Sequence, residues 1–248
     1  MNEKLIIASA SYESYQSTAS GGNSVLFILI YLVLFLCFLG IIYIKKSNGY
    51  KSKQLVKKLS KGKTSEQSAV IGYFLTQGCL ANPISDEEFF KIVNDEKEIY
   101  GQKNRALQKL GIDEDQVNEI EPVYFEGFRS DGAYSKQTYN GSGPWVSSKY
   151  EVTWLFFSDQ QVHVYRCEFH LDSDMKKEFT AEYFYKDVNS FSTISEDVAD
   201  QNGNMVPTEM FSMQGAGIDF SCALTNLEGA GKSIDGMRQK LREKKLQV

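Results

Sequence analysis

Histidine occurs only twice in this chain of 248 residues, and its four cysteines include no CxxC pair. A zinc site draws its ligands from clustered Cys and His, so no metal site is expected. The two histidines, His163 and His170, lie at an odd spacing that sends them to opposite faces of a strand. Cys79, Cys167 and Cys222 are widely scattered, which predicts reduced thiols in a cytosolic compartment. The one glycine-rich stretch, Asn140-Gly141-Ser142-Gly143-Pro144, lacks the lysine and following hydroxyl of a phosphate-cradling loop. No nucleophile with a base and no carboxylate pair stands out, so no catalytic residue, no cofactor and no enzyme activity are expected. A formal net charge of -5 argues against nucleic acid as a partner.

Charge is also absent from Ser24 to Ile44, the apolar run SVLFILIYLVLFLCFLGIIYI. At about 1.5 Å per helical residue it spans roughly 30 Å, the thickness of a bilayer's hydrocarbon core, and predicts a single transmembrane helix over 24–44. Acids are missing from Lys45 to Lys63, where eight lysines follow: Lys45, Lys46, Lys51, Lys53, Lys57, Lys58, Lys61 and Lys63. Positive residues stay on the cytoplasmic side. The prediction is therefore a cell-membrane protein with residues 1–23 as a disordered outer tail and its C-terminal part cytoplasmic. The Ser47-Asn48-Gly49 break predicts a flexible start to a polybasic linker over 45–63. Those eight lysines are the candidates for contact with an anionic lipid surface.

Residues 64–120 read as helical. Ser65 to Thr76 forms one amphipathic stretch, and Ser85 with Glu88 makes a capping box before Phe89 and Phe90. A further helix runs from Glu96 to Leu110, stopped by Gly111, and Asp113 with Gln116 caps a last turn.

From Pro122 the period becomes alternating. Seven strands are predicted: Val123 to Phe128, Tyr150 to Phe157, Val162 to Leu171, Glu178 to Asp187, Asn189 to Ser195, Thr208 to Gln214 and Ile218 to Leu224. Thr225 with Glu228 then opens an amphipathic helix through Leu227, Ala230, Ile234, Met237 and Leu241. Together these elements assign the fold class: one transmembrane helix plus an α+β part, in which a helical segment precedes a seven-stranded β-barrel over 121–248 with a C-terminal helix.

Trp154-Leu155-Phe156-Phe157-Ser158-Asp159-Gln160-Gln161-Val162, Tyr183-Phe184-Tyr185-Lys186-Asp187-Val188 and Ile234-Asp235-Gly236-Met237 carry a family resemblance. The segment from Glu121 to Lys245 resembles bacterial membrane-linked proteins with a PH-like domain, of the pleckstrin-homology superfold. That resemblance implies two near-orthogonal sheets closed into a small barrel, with the helix plugging its open end; a seven-stranded barrel of another family is the alternative. Phosphoinositide-binding members use a lysine followed two residues later by an arginine. Here Arg129, Lys136 and Lys149 occupy the region, but Glu151 stands at the second position. Residues 121–225 hold 7 basic and 16 acidic side chains, a balance of 7 minus 16, or -9, which repels anionic lipid.

The functional expectation is a membrane-anchored, non-catalytic binding or scaffold protein that presents this domain to a protein partner. Arg129, Tyr134, Tyr139 and Trp145, in the loop between the first two strands, are the candidate partner-binding residues. An anionic-lipid-sensing module, using the lysine cluster and the barrel, is the alternative.

Overall fold

The computed structural model describes residues 21–76, 83–117 and 120–224, with 239, 242 and 243; the side chains of 21–26, 44–48 and 120 fall outside that description. The chain divides into two units, 1–52 with 77–81 and 53–76 with 82–248. Of the first, the described residues are the helix α1 (Gly21–Leu59) as far as Ser52.

Helix α1 runs 39 residues without interruption. The predicted break at Ser47-Asn48-Gly49 is corrected: the helix continues through it, and the Ser52 hydroxyl donates to the Gly49 carbonyl at 3.1 Å within the coil. The predicted transmembrane span is corrected as well, because no helix among the described residues is long and apolar enough to cross a membrane. The apolar stretch with described side chains, 27–43, rises about 25 Å against roughly 30 Å of hydrocarbon, and the side chains of 24–26 and 44 lie outside the described residues. With the span goes the membrane placement that rested on it, outer N-terminus and cytoplasmic C-terminal part included. Along 27–43 the large apolar side chains are all exposed, from 45% at Leu39 to 75% at Tyr43.

The second unit opens with three helices, each bounded by readable signals. At the start of α2 (Ser65–Leu75), Thr64 and Gln67 form a reciprocal capping box, both bonds 3.1 Å. Ser85 and Glu88 do the same for α3 (Asp86–Tyr100). Helix α4 (Lys103–Leu110) ends at Gly111, whose φ of 67° is the left-handed conformation that a helix terminus demands. The helix expected from Glu96 to Leu110 is thus divided at Gly101, and its first half belongs to α3. The Gly101 carbonyl accepts the Trp154 indole N–H at 2.7 Å, and a Cβ at Gly101 would sit 2.7 Å from the Tyr124 hydroxyl.

Nine strands follow among the described residues. Strand β1 (Ile120–Phe128) leads to the short β2 (Ser135–Gln137) and β3 (Trp145–Ser147), then β4 (Lys149–Phe157), β5 (Gln161–His170) and β6 (Lys176–Phe184). After a 3-10 turn at Tyr185–Asp187 come β7 (Val188–Ala199), β8 (Met205–Gly215) and β9 (Ile218–Ala223). All pairing is antiparallel: a four-stranded sheet in the order β1-β4-β5-β6, a β2-β3 ribbon and a three-stranded sheet β7-β8-β9.

The expected closed seven-stranded barrel is therefore corrected to separate sheets. The turn at Tyr185–Asp187 interrupts the ladder between β6 and β7, and among the described residues β1 pairs with β4 alone. The predicted C-terminal helix falls almost wholly outside the described residues.

Alternation in β4 explains the layering. Tyr150, Val152 and Phe156 point to one side and join Val70, Tyr73, Phe89, Val93 and Leu107 in a core beneath the helices. Leu155 and Phe157 point to the other and join Phe211, Met213, Phe220 and Cys222 of the three-stranded sheet. Both faces of β4 are covered, so it reads as a near-continuous buried strand.

Candidate functional site

The loop from Arg129 to Lys149 is held down at both ends. The Arg129 N–H donates to the Lys149 carbonyl at 3.0 Å, and the Ser148 N–H donates to the Tyr134 carbonyl at 2.8 Å. Ser147 bridges the base, its hydroxyl donating to the Arg129 carbonyl at 2.5 Å.

The tip of the β7–β8 hairpin is tied to the same loop. There the Asp200 carboxylate accepts the N–H groups of Asn202 and Asn204, both at 2.8 Å, which folds the turn back on itself. The turn then presents Gln201, whose backbone N–H donates to the Ala133 carbonyl at 2.8 Å and whose side chain donates to the Tyr134 hydroxyl at 3.3 Å.

Between loop and hairpin lies a cleft of about 590 Å³. Trp145, Pro207 and Leu224 supply apolar wall, and Glu196, Asp197 and Glu209 supply carboxylates. Among the described residues no Lys, Arg or His lines it. The three acids are exposed and Trp145 is half-buried, so among the described residues an aromatic surface stands beside three carboxylates.

Behind the cleft the charges are balanced internally. Asp131 accepts from Arg129 Nε at 3.0 Å and from Lys149 Nζ at 2.9 Å. Burial pushes its carboxyl up, but the two cations win and hold it below the usual carboxylate range. Lys149 also lies 3.6 Å from Glu168 and Arg129 lies 3.9 Å from Glu151, which is 1% exposed. Burial pushes the Glu151 carboxyl up, against the opposing pull of Arg129 and of the Ala223 N–H.

The residues expected to bind a partner are thus dispersed. Trp145 lines the cleft, and Tyr134 anchors the hairpin beside it. Arg129 is committed to Asp131 and donates to the Met210 sulfur at 3.5 Å. Tyr139 faces the helices: it is 57% exposed, with φ of 49°, and its N–H donates to Asp86 Oδ2 at 2.8 Å. Asp86 also accepts the Tyr73 hydroxyl at 2.5 Å, and Lys136 Nζ lies 3.2 Å from the centre of the Tyr73 ring. Lys51, Lys53, Lys57 and Lys58 are exposed on α1, and Lys61 and Lys63 are exposed just beyond it. The side chains of Lys45 and Lys46 lie outside the described residues.

Sequence reading missed Glu196, Asp197, Pro207 and Glu209. The Asp200–Asn204 turn marks their hairpin, but nothing local says which loop its tip will meet. Comparison with protein-family models, with curated proteins and with solved structures finds no match for the chain.

Proposed function

We propose that the second unit is a non-catalytic protein-binding module whose cleft takes a basic, apolar-flanked segment of a partner. The observation that carries this reading is the pairing of Trp145 with three carboxylates, Glu196, Asp197 and Glu209, in a cleft whose described lining holds no basic side chain. A lysine or arginine entering there meets a favourable field and an aromatic wall, while an adjoining apolar residue covers Pro207 and Leu224.

Calorimetric titration of the full chain with a synthetic lysine- and leucine-containing peptide, against the same peptide with glutamate for lysine, tests it. Saturable binding of the basic peptide alone, lost in a Glu196→Gln, Asp197→Asn, Glu209→Gln variant, supports the reading. Equal binding of both peptides, or of neither, sinks it.

The exposure of Lys51, Lys53, Lys57, Lys58, Lys61 and Lys63 favours a second reading, electrostatic contact of that segment with an anionic surface. Replacing all six by glutamine should abolish flotation with anionic vesicles. Unchanged flotation would refute it.

A further inference from the structure

We propose that the chain's own basic segment, residues 238–245, is the resident occupant of the cleft between the Arg129–Lys149 loop and the β7–β8 hairpin, so that a partner must displace it. The inference rests on the reading of that cleft as a site for a basic, apolar-flanked segment.

Charge selects the segment. Glu196, Asp197 and Glu209 are the charged groups of the described lining, beside the apolar Trp145, Pro207 and Leu224. The sequence Arg238-Gln239-Lys240-Leu241-Arg242-Glu243-Lys244-Lys245 sets five basic side chains against one acid, with a leucine among them. Its sign is opposite to that of the cleft, and a lysine ammonium there also meets the face of Trp145. The other lysine-rich stretch is placed elsewhere: Lys51, Lys53, Lys57, Lys58, Lys61 and Lys63 are exposed, and none of them belongs to the described lining.

Connectivity favours the same occupant. Leu224 is part of the cleft wall, and the chain that leads to Arg238 starts from it. Residues 225–237 span at most about 45 Å when extended, so the basic segment cannot leave the neighbourhood of the cleft. A tether of this length keeps its far end at an effective concentration on the order of millimolar, which makes even a weak contact well populated.

The described residues of the segment indicate which side docks. Gln239 and Arg242 are helical and exposed, and the Gln239 side chain donates to Glu243 Oε1 at 3.0 Å, one helical turn on. On a helix that turns those two residues outward, the opposite side takes Lys240, Leu241 and Lys244. The proposal therefore sets Lys240 and Lys244 against the carboxylates and Leu241 against Pro207 and Leu224.

Carbodiimide cross-linking of an equimolar mixture of isotope-heavy and light full chains, read by peptide mass spectrometry, tests the occupancy. Lys240 or Lys244 should be joined to Glu196, Asp197 or Glu209, with both ends carrying one label and a yield unchanged by dilution. Calorimetric titration with the lysine- and leucine-containing peptide tests the competition. Its affinity should rise at least tenfold in the full-length variant Arg238→Gln, Lys240→Gln, Arg242→Gln, Lys244→Gln, Lys245→Gln. Absence of those cross-links, or cross-links that join heavy to light ends alone, would overturn the inference. Peptide binding of equal strength to parent and variant would overturn it too, while leaving the partner reading intact. Single-label cross-links in a chain whose variant still binds no peptide would uphold the occupancy and sink the partner reading.

Discussion

The carboxylate of Glu151 on β4 accepts a hydrogen bond from the backbone N–H of Ala223 on β9 at 2.7 Å, joining the four-stranded sheet to the three-stranded one. Among the described residues its second oxygen has no hydrogen-bond partner, and burial raises the group's folded-state pKa. A raised folded value means that the stabilising contribution is complete below the ordinary carboxylate range and is lost as pH rises through the raised value. Glu151→Gln keeps the acceptor and removes the buried charge. It should melt above the parent at pH 7, with the difference closing as the pH falls to 4 in parallel thermal unfolding. Glu151→Ala instead orphans the Ala223 N–H and should cost about 1–3 kcal/mol in denaturant unfolding.

Glu178 is the mirror case. Burial alone would raise its carboxyl, but hydrogen bonds from Lys109, Arg105 and Tyr165 hold it down to about 2. A depressed folded value gives stability that is present above the ordinary range and is lost as pH falls from there through about 2. Arg105→Ala should loosen α4 on β6, leaving Lys109 on Glu178, and cost about 1–3 kcal/mol, the range for a charge-assisted hydrogen bond. Urea unfolding at pH 7 checks the cost, and the acid limb of the unfolding profile should flatten in Glu178→Gln.

Asp86 ties α3 to α2 through the Tyr73 hydroxyl and to the β2–β3 loop through the Tyr139 amide. Asp86→Ala should raise the exchange rate of the Tyr139 amide tenfold or more while leaving the β4–β5 ladder protected. Unchanged exchange at Tyr139 would mean that other contacts hold the loop.

Gly215 closes β8 against the start of β7, where an added Cβ would collide with the Asp187 backbone carbonyl. A backbone obstacle cannot swing aside as a side chain can. Gly215→Ala should therefore destabilise by about 1–3 kcal/mol, measured by denaturant unfolding.

The long strands were legible because each satisfies a local rule. Tyr150, Val152, Trp154 and Phe156 alternate across β4, and the Ser158-Asp159-Gln160 turn separates β4 from β5. The Ser85–Glu88 capping box was equally readable, since its two hydrogen bonds involve residues three apart. What sequence left hidden is non-local. Strands β2 and β3 are three residues each and too short to show a period. Sheet closure depends on where β6 hands over to β7, and alternation along either strand is blind to that. The helix through Ser47-Asn48-Gly49 defeats its own propensities, a neighbour effect that single-residue scales do not contain. Glu196, Asp197 and Glu209 become a site only when Gln201 docks on Ala133.

The most direct test of the cleft is the emission of Trp145 in a Trp154→Phe background, titrated with the basic lysine- and leucine-containing peptide. The account predicts a saturable shift that weakens at least tenfold in the Glu196→Gln, Asp197→Asn, Glu209→Gln variant and with rising salt. An emission spectrum that the peptide leaves unchanged, or a shift indifferent to the three carboxylates, would contradict it.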